Sequence, residues 1–176
     1  MNYLLPLIAV ILGYILALVI QPKKKSNLKL LLAFSGSFLL SVTVISLLPE
    51  VYETKNTTIG LYIMLGILFQ IILEFFSKGA EHGHVHGHQT ITHIPWLLFI
   101  SLCIHALLEG FPVGHHHDLA IGIAIHHLPI AIILTTFFVQ AQLNKKAIFA
   151  FMITFAMMTP LGTLASNYIP GLQEYT

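Results

Sequence analysis

The chain has 176 residues, of which 56% are hydrophobic and 9% charged, where a soluble domain carries about 25% charged residues. Its apolar residues fall in runs near the roughly 17–25 residues that cross a bilayer, which excludes a soluble fold and predicts an all-α polytopic membrane protein. A net charge of +1 gives no basis for nucleic-acid binding, and the single cysteine, Cys103, excludes an intrachain disulfide and argues against a thiolate metal site.

The first apolar run predicts a helix from Leu4 to Ile20. No basic residue precedes it, and Lys23, Lys24 and Lys25 follow at once. That is the reverse of a cleavable signal peptide and implies a retained span with its N-terminus outside. The second predicted helix runs from Leu30 to Leu48 and ends at Pro49-Glu50; the third runs from Ile59 to Phe76. Gly79 to His93 (residues 79–93) forms the longest polar insertion and carries His82, His84, His86 and His88 alternating with glycine or valine. The fourth helix covers Ile94 to Val113, followed by the polar turn Gly114-His-His-His-Asp118. The fifth runs from Leu119 to Val139 and the sixth from Ala147 to Ala165. Residues 1–176 thus read as a single transmembrane domain, a bundle of six helices with one His-rich loop inside it. With the N-terminus outside, Lys55 alone of the eight lysines lies outside and the other seven face the cytoplasm, as the positive-inside rule requires. The 79–93 loop is then cytoplasmic.

Two helices carry ionisable groups where a lipid-spanning segment should carry none. The fourth reads His105-Ala-Leu-Leu-Glu109-Gly110 and the fifth His126-His127-Leu-Pro129-Ile130. Residues four apart share a helix face with Cβ atoms about 6 Å apart, so His105 and Glu109 can hold one ion together. A charged group at membrane depth costs roughly 2.5 kcal/mol or more, so it has a partner and a task. Side by side, the two helices gather His105, Glu109 and His126 into a nitrogen and oxygen site suited to zinc or a similar divalent ion. His127 points about 100° away from His126, which leaves it as a supporting or second-site residue. Pro112, Pro129 and Pro160 each remove a backbone donor, which can kink the helix beside the site or be no more than ordinary membrane-helix proline. The loop residues His82, His84, His86 and His88 read as accessory metal contacts, and His115, His116 and His117 as residues that attract ions at the outer mouth.

In this order the motifs resemble the ZIP (Zrt-/Irt-like protein) family of divalent-metal transporters, over nearly the whole chain. Leu47-Leu-Pro-Glu50 resembles the end of the family's second helix, and His105 to Gly110 is similar to its helix 4 pattern His-Asn-x-x-Glu-Gly. His126 to Pro129 resembles the helix 5 pattern, and Thr159-Pro-Leu-Gly162 the start of a helix 6 motif. The resemblance implies alternating-access transport into the cytoplasm of Zn²⁺, or of Fe²⁺, Mn²⁺ or Cd²⁺, with His105, Glu109 and His126 at the main site. It also implies an integral protein of a bacterial inner or plasma membrane, with no enzymatic activity and with room for a homodimer. Ala106, His127, Ile130 and Thr159 depart from the family's ligand positions, which favours one metal over two. The family fold has eight helices against six here, and Asn167 to Thr176 reads as a loop, so the last two helices are expected beyond Thr176.

Two other readings compete. A membrane haem protein would use His105 and His126 as axial ligands, but it has no use for Glu109 or the His-rich loop. A non-transporting metal sensor would work through that loop.

Overall fold

Backbone groups inside lipid must be satisfied within their own segment, so isolated apolar runs of this length become helices. A computed structural model describes residues 2–22, 25–53, 57–77, 94–114 and 116–168. Among these residues six helices follow one another and no strand occurs. They are α1 (Leu4–Ile20), α2 (Lys25–Val42, continuing through Thr43–Leu47 and Leu48–Glu53), α3 (Ile59–Ser77), α4 (Trp96–Gly110, with a tighter last turn Phe111–Gly114), α5 (His117–Gln140) and α6 (Lys145–Tyr168). Five are long and apolar enough to cross a membrane, and α1 is a shorter apolar helix. The His-rich loop, His115 and the tail after Tyr168 lie outside the described residues.

Pro49 departs from the sequence expectation. Helix α2 does not stop at Pro49 but runs on to Glu53. The turn before the proline is widened, so that the Leu48 N–H bonds to the Thr43 carbonyl five residues back. This register relieves the clash that a proline ring makes with the carbonyl four residues before it. Helices α5 and α6 pass through Pro129 and Pro160 without interruption. Both prolines are buried, and packing on neighbouring helices holds the backbone in place. Where Pro49 follows a widening of its helix, Pro112 coincides with a tightening. There the Phe111 N–H turns to the Leu108 carbonyl, which supplies the bond that Pro112 cannot.

Helix α5 is the hub. It packs most extensively on α1 and next on α2, while α4 packs mainly on α6. About two thirds of its spanning window (67%) is buried, against 11% for α2 and for α3. The main core joins Val10 of α1, Leu102 and Ala106 of α4, Leu134 and Phe138 of α5, and Phe151 and Phe155 of α6. Phe151 meets both Phe99 and Phe138 edge-on, with ring centroids 4.8 Å apart in each pair, an arrangement that suits the ring quadrupoles. The serines and Thr43 of α2 close back on their own helix: Ser37 bonds to the Ala33 carbonyl, Ser41 to that of Ser37 and Thr43 to that of Leu39.

Helices α4 and α6 meet backbone to backbone. A Cβ on Gly110 would run into the Thr159 carbonyl oxygen, and one on Gly162 into that of Leu107. Small residues are the usual means of such close approach in membranes. Gly162→Ala is expected to destabilise the protein by about 1–3 kcal/mol, as overpacking generally does. Gly66→Ala, where a Cβ meets nothing within 4 Å, is expected to be neutral or stabilising. Thermal midpoints in detergent compare the two.

Candidate metal centre

The α4 spacing is realised directly. His105 Nε2 lies 3.2 Å from Glu109 Oε1, with both side chains about 15% exposed (16% and 15%). Across the interface α5 brings in His126, and one donor atom each from His105, Glu109 and His126 lie within 4.8 Å of one another. Among the described residues this is the one group of three or more such side chains that could hold a metal ion.

His127 takes another position. It is 1% exposed, its ring packs on Phe155 of α6 at 5.4 Å, and its Nε2–H donates to Glu109 Oε2 over 2.8 Å. The two carboxylate oxygens of Glu109 are therefore divided. Oε1 faces His105, while His127 holds Oε2 and with it the rotamer of the whole group. The His126 and His127 rings stand 6.3 Å apart between centroids, in keeping with adjacent residues that diverge around a helix.

Helices α3 and α6 complete the surroundings. Gln70 Oε1 of α3 accepts a hydrogen bond from His105 Nδ1–H at 2.9 Å. Sequence reasoning passed over Gln70; its signal was an amide in the middle of an otherwise apolar helix. From α6, Thr163 Oγ1 lies 2.7 Å from the Gly110 carbonyl oxygen and 3.1 Å from that of Thr159. It thereby ties α6 to the turn that follows Glu109. Ile130 is 2% exposed and packs in the core with Ala106, so hydrocarbon occupies both of these positions. At one end of the bundle His116 Nδ1 stands 3.7 Å from Glu50 Oε2 and His117 Nδ1 3.1 Å from Asn2 Oδ1. Ser46, Leu47, His116 and His117 help to line a cavity of about 240 Å³ there. The loop residues His82, His84, His86 and His88 fall outside the described residues.

No family model matches the chain, and no solved structure matches it. Two curated proteins do. The zinc transporter ZIP1 of Danio rerio is 25% identical over 110 residues, covering 49% of this chain and 36% of that protein. The protein zntD of Dictyostelium discoideum is 28% identical over 112 residues, 53% of this chain and 16% of that protein. Over about half of its length the chain is thus similar to a ZIP zinc transporter and to zntD. The matches span about a third of the length of the first ZIP relative and a sixth of the second.

If the cluster holds a divalent ion, cadmium NMR of the protein in detergent should show one ion coordinated by nitrogen and oxygen. The four loop histidines are replaced by serine so that this signal stands alone. His105→Ala and Glu109→Ala are expected to abolish it. His127→Phe should leave it visible with affinity lowered by about 10–100-fold, the usual cost of losing a residue that orients a ligand.

Proposed function

We propose that this protein carries divalent metal ions, Zn²⁺ foremost, across a membrane into the cytoplasm through the site formed by His105, Glu109 and His126. The observation that carries the reading is the convergence of these three donors, from two apolar helices, to within 4.8 Å of one another. Zinc binds such nitrogen and oxygen donors at about 2.0–2.2 Å, so small side-chain movements close the shell, and water or a carbonyl fills the remaining position. The likeness to a protein named as a zinc transporter supports zinc as cargo.

The chemistry suits a carrier better than a store. Glu109 supplies one negative charge, half of what a divalent ion brings, and the imidazoles supply none when they ligate. A single ion therefore binds with modest affinity, and a second close by is repelled. His105 and Glu109 are partly exposed, which leaves the ion a way in and out. A haem would need its macrocycle between His105 and His126, yet the Glu109 carboxylate stands within 4.8 Å of both; a bare cation is the better occupant. The protein acts as a carrier and not as an enzyme, and the 79–93 loop gathers ions beside it.

Radioactive zinc uptake into proteoliposomes tests the reading. Uptake is expected with the parent protein and is expected to fall to background with Glu109→Ala. It should persist when His82, His84, His86 and His88 are all changed to serine. Equal uptake by Glu109→Ala and the parent would remove the site from the pathway.

Direction follows from the lysines, which put the N-terminus outside and residues 79–93 in the cytoplasm. A cysteine introduced at Gln89 on a Cys103→Ser background should resist an impermeant thiol reagent in intact cells and react after permeabilisation. Labelling from outside would reverse the orientation.

A further inference from the structure

Helix α3 stands at the margin of the bundle. Its one extensive contact is with α4, and Leu61, Met64, Leu68, Ile71 and Phe75 are all exposed. A helix so placed adds little to the core. Yet one polar side chain from its apolar middle reaches the metal centre, Gln70 Oε1 at 2.9 Å from His105 Nδ1.

The chemistry of that contact decides what His105 can do. A carboxamide oxygen has lone pairs and no hydrogen, and a neutral imidazole carries its single hydrogen on one nitrogen or the other. Facing Gln70 Oε1, Nδ1 carries the hydrogen. Nε2 is then the nitrogen left for a cation, on the side of Glu109 and 3.2 Å from its Oε1, where a bound ion would separate the two acceptors. The other tautomer would oppose two lone pairs at Gln70 and place an N–H where a metal ligand is needed.

We infer that Gln70 is the positioning residue of the metal centre. It holds His105 in the tautomer and ring orientation whose Nε2 takes the cation, so that metal affinity depends on where α3 sits against α4. This rests on reading His105, Glu109 and His126 as a divalent-metal site. Two properties follow. Gln70 is uncharged, so it orients the ligand without adding negative charge, and the site still releases its ion readily. A displacement of α3 by about 1 Å takes the contact beyond hydrogen-bond length and lets His105 rotate. Movement of a marginal helix thereby weakens binding at a site that the helix does not itself ligate.

A merely structural role for Gln70, as a polar tie between α3 and α4, predicts different behaviour from its variants. The full chain in detergent, with the four loop histidines changed to serine, is titrated with zinc, and imidazole nitrogen NMR of the metal-free protein reads the His105 tautomer. Gln70→Leu is expected to weaken zinc binding by about 10–100-fold and to lose the Nδ1–H signature. Gln70→Glu, which keeps an acceptor at the same place, is expected to retain the signature and bind zinc at least as tightly as the parent. Unchanged affinity and tautomer in folded Gln70→Leu overturn the proposal, as does Gln70→Glu binding as weakly as Gln70→Leu. Should Gln70→Leu fail to fold, Gln70→Glu decides alone: retained signature and affinity support the role, and loss of either refutes it. Glu109→Ala in the same titration separates the two layers of the argument. If it binds zinc like the parent, the metal centre itself is misplaced; if it does not bind while Gln70→Leu binds normally, only the role of Gln70 falls.

Discussion

The Glu109 carboxylate is the constraint around which the rest of the bundle is arranged. A carboxylate on a lone helix at membrane depth is costly, roughly 2.5–3.5 kcal/mol on insertion scales. Here His105 stands beside one oxygen, and His127 donates to the other. These side-chain contacts link α4 to α5, two helices that were expected side by side but pack mainly on α6 and on α1 and α2 respectively, and the most buried histidine among the described residues belongs to α5. Phe155 of α6 walls the His127 ring, and Thr163 holds the turn directly after Glu109. The polar network thus specifies which faces of three helices meet, while the Phe99, Phe138 and Phe151 cluster supplies the apolar packing that keeps them together.

The same network sets the character of the site. Around one carboxylate and two inward imidazoles, Ala106 and Ile130 provide hydrocarbon, and Ile130 is 2% exposed. A cluster so poor in charge would hold a cation by geometry more than by electrostatic depth. Orientation of the few ligands therefore matters more than in an acid-rich site. His127 donates to the Glu109 carboxylate and Gln70 accepts from the His105 imidazole.

Much of this was legible in the chain, and the illegible parts have identifiable causes. The bounds of α1 and the pairing of His105 with Glu109 follow from apolar run length and from the four-residue repeat. The divergence of His126 and His127 follows from the 100° step between adjacent residues. Local rules failed at Pro49, where a widened turn absorbs a proline that would otherwise end a helix. Gln70 was missed for a different reason. Periodicity tells which face of a helix a residue occupies but not which helix lies opposite, and the partner of Gln70 is 35 residues away.

The crossing of α4 and α6 at Gly110 and Gly162 has a mechanical meaning. Two glycines bring no side-chain rotamers to the contact, so closing it forfeits no side-chain entropy, and nothing in it can re-pack to let one helix slide past the other. The carbonyls of Leu107 and Thr159 act as teeth in a mesh. The joint is therefore stiff along the helix axes. A displacement of α4 would carry α6 with it as one lever, with compliance left to the more exposed α2 and α3.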